Sequence, residues 1–184
     1  PLKINKIINI FLRSLTLLSK VFLIFFLAKY FEPNQLGLFG LIMATIGFSV
    51  YAVGLDFYTY TTRELLKYNK KKWGHFLKSQ CLLHFLLYLI TFPLILTLFI
   101  FKIMPWNLVV LFFLILFFEH VTLELSRLLI TLNNQINSSV VIFFRSGFWC
   151  VGISLLMFFF EKLRTIEYIL LSWIFSLIIA LIIS

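Results

Sequence analysis

The sequence predicts an all-α, polytopic membrane bundle of about six transmembrane helices. Three observations lead there. Hydrophobic residues make up 62% of the 184 and charged residues 12%, with a mean hydropathy of +1.06, whereas about half of a soluble domain is apolar and about a quarter charged. Apolar runs recur at intervals of roughly 25–30 residues, and each approaches the roughly 20 residues a span requires. Most of the 16 Lys and Arg residues lie in the links between those runs. The 24 phenylalanines match an AT-rich coding bias and carry no functional information.

Residues 1–13 intersperse Lys3, Lys6 and Arg13 with isoleucines and leucines, the pattern of an amphipathic lead-in. The transmembrane part then covers residues 14–184. A first span over about 14–30 stops at Pro33, which cannot continue a helix interior. The second, about 36–55, is rich in small residues. Gly37, Gly40, Ala44, Gly47, Tyr51 and Gly54 recur three and four apart, so they share one helical face, a seam for close helix packing. Asp56 and a cluster of aromatics lead out of it into a basic loop holding Arg63, Lys67, Lys70, Lys71, Lys72 and Lys78 against one acid, Glu64. Those aromatics suit a membrane interface, and the cations suit anionic lipid headgroups.

A third span covers about 79–101, with Pro93 as an expected kink. The fourth covers about 106–125, the fifth about 138–160 and the sixth about 165–184. The chain begins at Pro1 and stops at Ser184 inside an apolar run, so it reads as part of a longer protein. No internal repeat at a solenoid period is present. Cys81 and Cys150 both fall inside apolar runs and imply no disulfide framework.

Orientation follows from the cations. With the N-terminus in the cytoplasm, that side holds Lys3, Lys6, Arg13, the six loop cations and Arg127, ten in all. The other side holds four: Lys29, Lys102, Lys162 and Arg164. This positive-inside bias predicts a cytoplasmic N-terminus.

The informative residues are the ionisable ones within spans. Were Lys20 outside the membrane, the first span would keep residues 21–31, eleven in number. Were Arg145 outside, the fifth would keep fifteen, and without Glu119 and His120 the fourth would keep thirteen. All fall short of the roughly 17 that crossing needs. Each charge costs about 2.5–3.5 kcal/mol at the centre of a span. Arg13, Thr16 and Lys20 share a face, as do His120, Glu124, Arg127 and Thr131, and as do Ser138, Arg145 and Trp149. Two readings follow. One is a polar, partly cationic cavity open to the cytoplasm, with Lys20, Arg145, Arg13, Glu124 and His120 as its candidate substrate-binding groups. The other is structural ion pairing of Glu124 with Arg127 or with Arg145. His75 reads as a loop residue and His84 as a packing residue. No metal-ligand cluster, nucleophile triad or phosphate-cradling glycine loop is present, so neither cofactor nor enzymatic activity is expected. With no globular basic domain, neither is nucleic-acid binding.

The segment 13–65 carries a family resemblance. A first span ending in LAKYFEPNQLGLFGL, a small-rich second span and the exit GLDFYTYTTREL resemble the start of the bacterial polysaccharide-synthesis flippases of the O-antigen type. These belong to the multidrug/oligosaccharidyl-lipid/polysaccharide exporter superfamily. The motif match covers under a third of the chain, and the later spans agree in layout only.

The resemblance implies a twelve- to fourteen-helix, two-lobed protein of the bacterial inner membrane, working by alternating access. This chain would be its N-terminal lobe, with the C-terminal lobe lying beyond it. The implied substrate is an oligosaccharide on a polyprenyl pyrophosphate, and the implied partners include the polysaccharide assembly machinery. Lys20, Arg145 and Arg13 would then face the pyrophosphate or acidic sugars, with Asp56, Arg63 and Lys70, Lys71 and Lys72 marking the cytoplasmic gate. Two alternatives stand beside it. A drug or cation antiporter of the same superfamily would have a cavity dominated by acids. A membrane polymerase or glycosyltransferase would carry a large extracytoplasmic catalytic loop.

Overall fold

A computed structural model describes residues 2–184, with side chains from Lys6 onward. Pro1 and the side chain of Lys3 lie outside the described residues. The chain forms α1 (Leu2–Tyr30), α2 (Pro33–Gly54), α3 (Tyr58–Lys67), α4 (Trp73–Ile100), α5 (Val109–Thr131), α6 (Gln135–Phe143), α7 (Trp149–Phe159) and α8 (Ile166–Ile183). Single 3-10 turns lie at Lys70–Lys72, Trp106–Leu108 and Glu161–Leu163. The link between α6 and α7, Phe144–Phe148, is a π-helical turn, so the two make one continuous rod. Six segments are long and apolar enough to cross a membrane: Lys6–Tyr30, Pro33–Gly54, Lys70–Ile100, Trp106–Thr131, Gln135–Phe159 and Ile166–Ile183. The protein is a multi-pass helical membrane bundle.

Short links make successive spans run in alternating directions. The turn Lys70–Lys72 therefore marks one end of the bundle, called here the basic end. α5 is the central helix, packing on α8, α6 and α2, while α1 packs on α6 and α7. Phe112, Ile115 and Leu116 of α5 are fully buried against such partners as Phe99, Ile169 and Leu177. Lipid tails are as apolar as these side chains, so close packing rather than expulsion from water holds the helices together. The outer surface is correspondingly apolar, with Phe25, Leu94, Val110 and Phe175 among its exposed side chains.

Several features differ from the sequence reading. The lead-in and the first span form one helix, since α1 runs from Leu2 without a break past Arg13, and the apolar stretch begins at Lys6. The basic loop is largely helical: α3 buries Thr61 and Leu65, four residues apart, and leaves Arg63 and Lys67 outside. Trp73 fastens its end by donating its indole N–H to the Leu65 carbonyl at 2.9 Å. α3 is ten residues long with two buried positions among its charges, too short and too polar to stand out as an apolar run. α4 continues through Pro93, and α5 runs two turns past residue 125.

The small-residue face of α2 is not covered by another helix of the described residues. Gly37, Gly40, Ala44, Gly47 and Tyr51 are all exposed, and only Gly54 of that face is buried. Nothing lies within 4 Å of a methyl built on Gly37, Gly40 or Gly47. α2 instead packs inward through Phe39, Ile42, Ile46, Val50 and Val53. Large side chains make more dispersion contacts than a groove of glycines, so they win the inner face.

Candidate functional site

The polar residues of the interior form two clusters on different faces of α5. Glu119 and His120 are consecutive, about 100° apart around the helix, and each belongs to a different cluster.

Glu119 anchors the first. Its Oε1 lies 3.3 Å from Arg145 Nε, with both side chains 15% exposed. Its Oε2 accepts a 3.3 Å hydrogen bond from the Trp173 indole of α8. Trp173 stacks on Trp149, with ring centroids 4.9 Å apart and planes within 13°. Lys20 of α1 is exposed, one turn from Thr16, which packs against Gly147 of the turn that carries Arg145. No ion pair to Lys20 forms among the described residues. Arg145 Nη1 and Trp149 Nε1 are buried without a hydrogen-bond partner.

The local structure explains how these groups meet. Arg145 sits on the π turn, whose widened backbone redirects side chains and frequently marks functional positions. The Phe144 carbonyl in that turn accepts a hydrogen bond from the Ser176 hydroxyl, which ties the fifth span to α8. Gly147 lets α1 approach: a methyl there would stand 3.1 Å from the Thr16 Cα. Lys20, Glu119, Arg145 and Trp173 each fall within about two residues of the middle of their own spans, roughly 3 Å along a helix axis. The cluster therefore lies at the mid-depth of the bundle. It holds two cations and one carboxylate, a net charge of one positive.

The second cluster runs along another face of α5 from the basic end. Asp56, just beyond α2, lies 3.9 Å from Arg127, and Arg127 pairs with Glu124 at 2.6 Å. The Arg127 guanidinium also sits over the Tyr58 ring, 3.8 Å from its centroid. Glu124 accepts a 2.6 Å hydrogen bond from the Gln80 amide of α4. Deeper in, Tyr88 and His120 share a 2.8 Å hydrogen bond, and His120 stands edge-on to His84 at 4.5 Å between centroids. Asp56 and Glu124 thus share the single guanidinium of Arg127, which leaves this cluster one negative charge in excess. A cavity of about 420 Å³ between α3, α4 and α5 adjoins them, and its walls are mostly apolar.

Of the sequence candidates, the structure pairs Arg145 with Glu119, leaves Lys20 exposed at the same depth on α1, and places Glu124 and His120 in the second cluster. It does not assemble all five in one cavity. Arg13 is exposed two turns from Lys20 toward the basic end, and Arg63, Lys70, Lys71 and Lys72 are exposed around α3. Both intramembrane carboxylates are paired, Glu124 with Arg127 and Glu119 with Arg145. Sequence reasoning missed Glu119 as the hub, and with it Trp173. The signal was present: a carboxylate near the centre of an otherwise apolar span demands a cation at the same depth, and Arg145 is the one cation near the middle of the fifth span. Among the described residues, no group of three or more His, Cys, Asp or Glu residues is arranged to hold a metal ion. Comparison of the chain with protein-family models, with characterised proteins and with solved structures returns no match.

Proposed function

We propose that this chain is one lobe of a bacterial inner-membrane flippase, with its N-terminus in the cytoplasm. Its substrate is a polyprenyl-pyrophosphate-linked oligosaccharide, moved from the cytoplasmic to the outer leaflet by alternating access. The observation that carries the reading is Lys20. A lysine exposed at mid-depth would face hydrocarbon if lipid covered that side of α1, and an ionisable group inside a membrane faces water or protein. Lys20 is then the polar point on an α1 face that otherwise exposes Leu17, Val21 and Ile24, and the net positive charge around Glu119 suits an anionic cargo. The exposed small-residue face of α2 supplies a second surface on which another lobe can slide. α3 and the Lys70–Lys72 turn rest among anionic headgroups at the cytoplasmic surface.

A drug or cation antiporter needs an unpaired acid in the membrane, and here Glu119 and Glu124 already have cationic partners. The deciding experiment is complementation of a flippase-deficient strain. Lys20→Ala and Arg145→Ala are each expected to abolish export of the finished glycan, with membrane abundance by immunoblot retained. Wild-type export by both variants overturns the reading. Topology reporters fused after Lys72 and after Lys162 are expected to report cytoplasm and periplasm; the opposite pattern overturns the orientation.

A further inference from the structure

We infer that Glu119 is a resident anion: it occupies the Lys20–Arg145 site when cargo is absent and gives it up to a diphosphate-type group on the cargo. The inference rests on the proposed function and adds to it the group that cargo must displace. Three observations support it. The Glu119–Arg145 ion pair falls on Nε at 3.3 Å, and that same Nε donates to the Ser146 hydroxyl at 3.5 Å, whereas an arginine matched to a permanent carboxylate partner commonly pairs through two parallel hydrogen bonds. Arg145 Nη1 is left buried and without a partner, a costly arrangement for a charged group. Lys20 lies one turn along α1 from Thr16, which packs against Gly147 two residues from Arg145, and it makes no ion pair among the described residues.

One carboxylate carries one negative charge and cannot neutralise two cations, whereas a diphosphate carries enough charge and enough acceptor oxygens to engage both. As it binds Lys20 and the free edge of Arg145, its charge repels Glu119. That side chain retains the Trp173 indole as its hydrogen-bond donor, so the carboxylate has a place to remain without crossing hydrocarbon. Return of Glu119 to Arg145 then competes with the bound cargo and favours its release. Binding and release are exchanges between anions, and neither step leaves Arg145 without a countercharge.

The test uses the purified chain in lipid nanodiscs with inorganic pyrophosphate as the probe. Thermal stabilisation and the emission of the stacked pair Trp149 and Trp173 are the readouts, on a Trp73→Phe, Trp106→Phe background. Wild type is expected to bind saturably. Removing the competitor in Glu119→Gln is expected to tighten binding about tenfold or more, and Lys20→Ala to weaken it by a similar factor. Glu119→Gln leaves two cations facing each other, so its melting temperature is expected to fall without pyrophosphate and to recover further than wild type when pyrophosphate is added. Glu119→Asp, which keeps the charge, is expected to bind like wild type. Equal or weaker binding by Glu119→Gln overturns the resident-anion inference, and the transport proposal survives if Lys20→Ala still abolishes export. If no variant binds pyrophosphate and Lys20→Ala exports normally, the proposed function itself falls.

Discussion

Breaking the Glu119–Arg145 pair from either side costs different amounts, and the geometry says which side is worse. At 3.3 Å two unit charges attract by about 5 kcal/mol at an effective dielectric constant of 20. Both side chains keep 15% of their surface exposed, so some of this is screened. Removing one partner of a buried pair typically costs about 3–5 kcal/mol, because the survivor is left uncompensated. Arg145→Gln leaves Glu119 with its Trp173 hydrogen bond and Lys20 nearby. Glu119→Gln leaves Arg145 and Lys20 as two cations with no anion. The expected losses are therefore about 2 kcal/mol for Arg145→Gln and about 4 kcal/mol for Glu119→Gln, while Glu119→Gln with Arg145→Met lies within about 1 kcal/mol of wild type. Reversible unfolding by SDS in mixed micelles, followed by tryptophan emission, measures all three and yields the coupling energy. A coupling below about 0.5 kcal/mol, or an Arg145 variant at least as damaged as the Glu119 variant, would falsify the account of the cluster.

Other expectations concern packing and hydrogen bonding. Gly147→Ala is expected to lose about 1–3 kcal/mol, since its methyl meets the Thr16 backbone at 3.1 Å; Gly40→Ala, with open space around it, should stay within about 0.5 kcal/mol of wild type. The same unfolding measurement compares them, and equal losses would contradict the positions of α1 and α2. Tyr88→Phe removes the 2.8 Å bond to His120 and is expected to cost about 1 kcal/mol, with no loss on a His120→Phe background, where the bond is already gone. Trp173→Phe keeps the aromatic stack but not the donor to Glu119. Its cost, about 1–2 kcal/mol, should be smaller than that of Glu119→Gln in the same titration.

The sequence was most legible where physics is one-dimensional. Span number and alternation follow from the length of apolar run that fills a bilayer, and the six spans appear where those runs lie. Lys20, Glu119 and Arg145 could be placed inside the membrane because excluding any of them left its helix too short. Pairing was harder to read. The motif of small residues on α2 fixes a face but not its direction, and that face turned outward because Ile42, Ile46 and Val53 hold the inner one. Glu119 and His120 are neighbours in sequence, yet they serve different clusters because one residue turns a helix by about 100° and so changes the face. The π turn at Phe144–Phe148 has no strong sequence signature, so the direction of Arg145 could not be read from a regular helical wheel.

That turn has a mechanical consequence. A regular helix is stiff because each peptide bond is braced by the residue four places away, and a π turn interrupts this bracing at one point. The fifth span is thus two arms about a joint: α6 rests on α1 and α5, α7 on α1 and α8. The Ser176 hydroxyl, bonded to Phe144, pins the joint to α8. One arm can tilt while the other stays seated, and Arg145, carried on the joint, swings through the smallest arc of any residue on the rod.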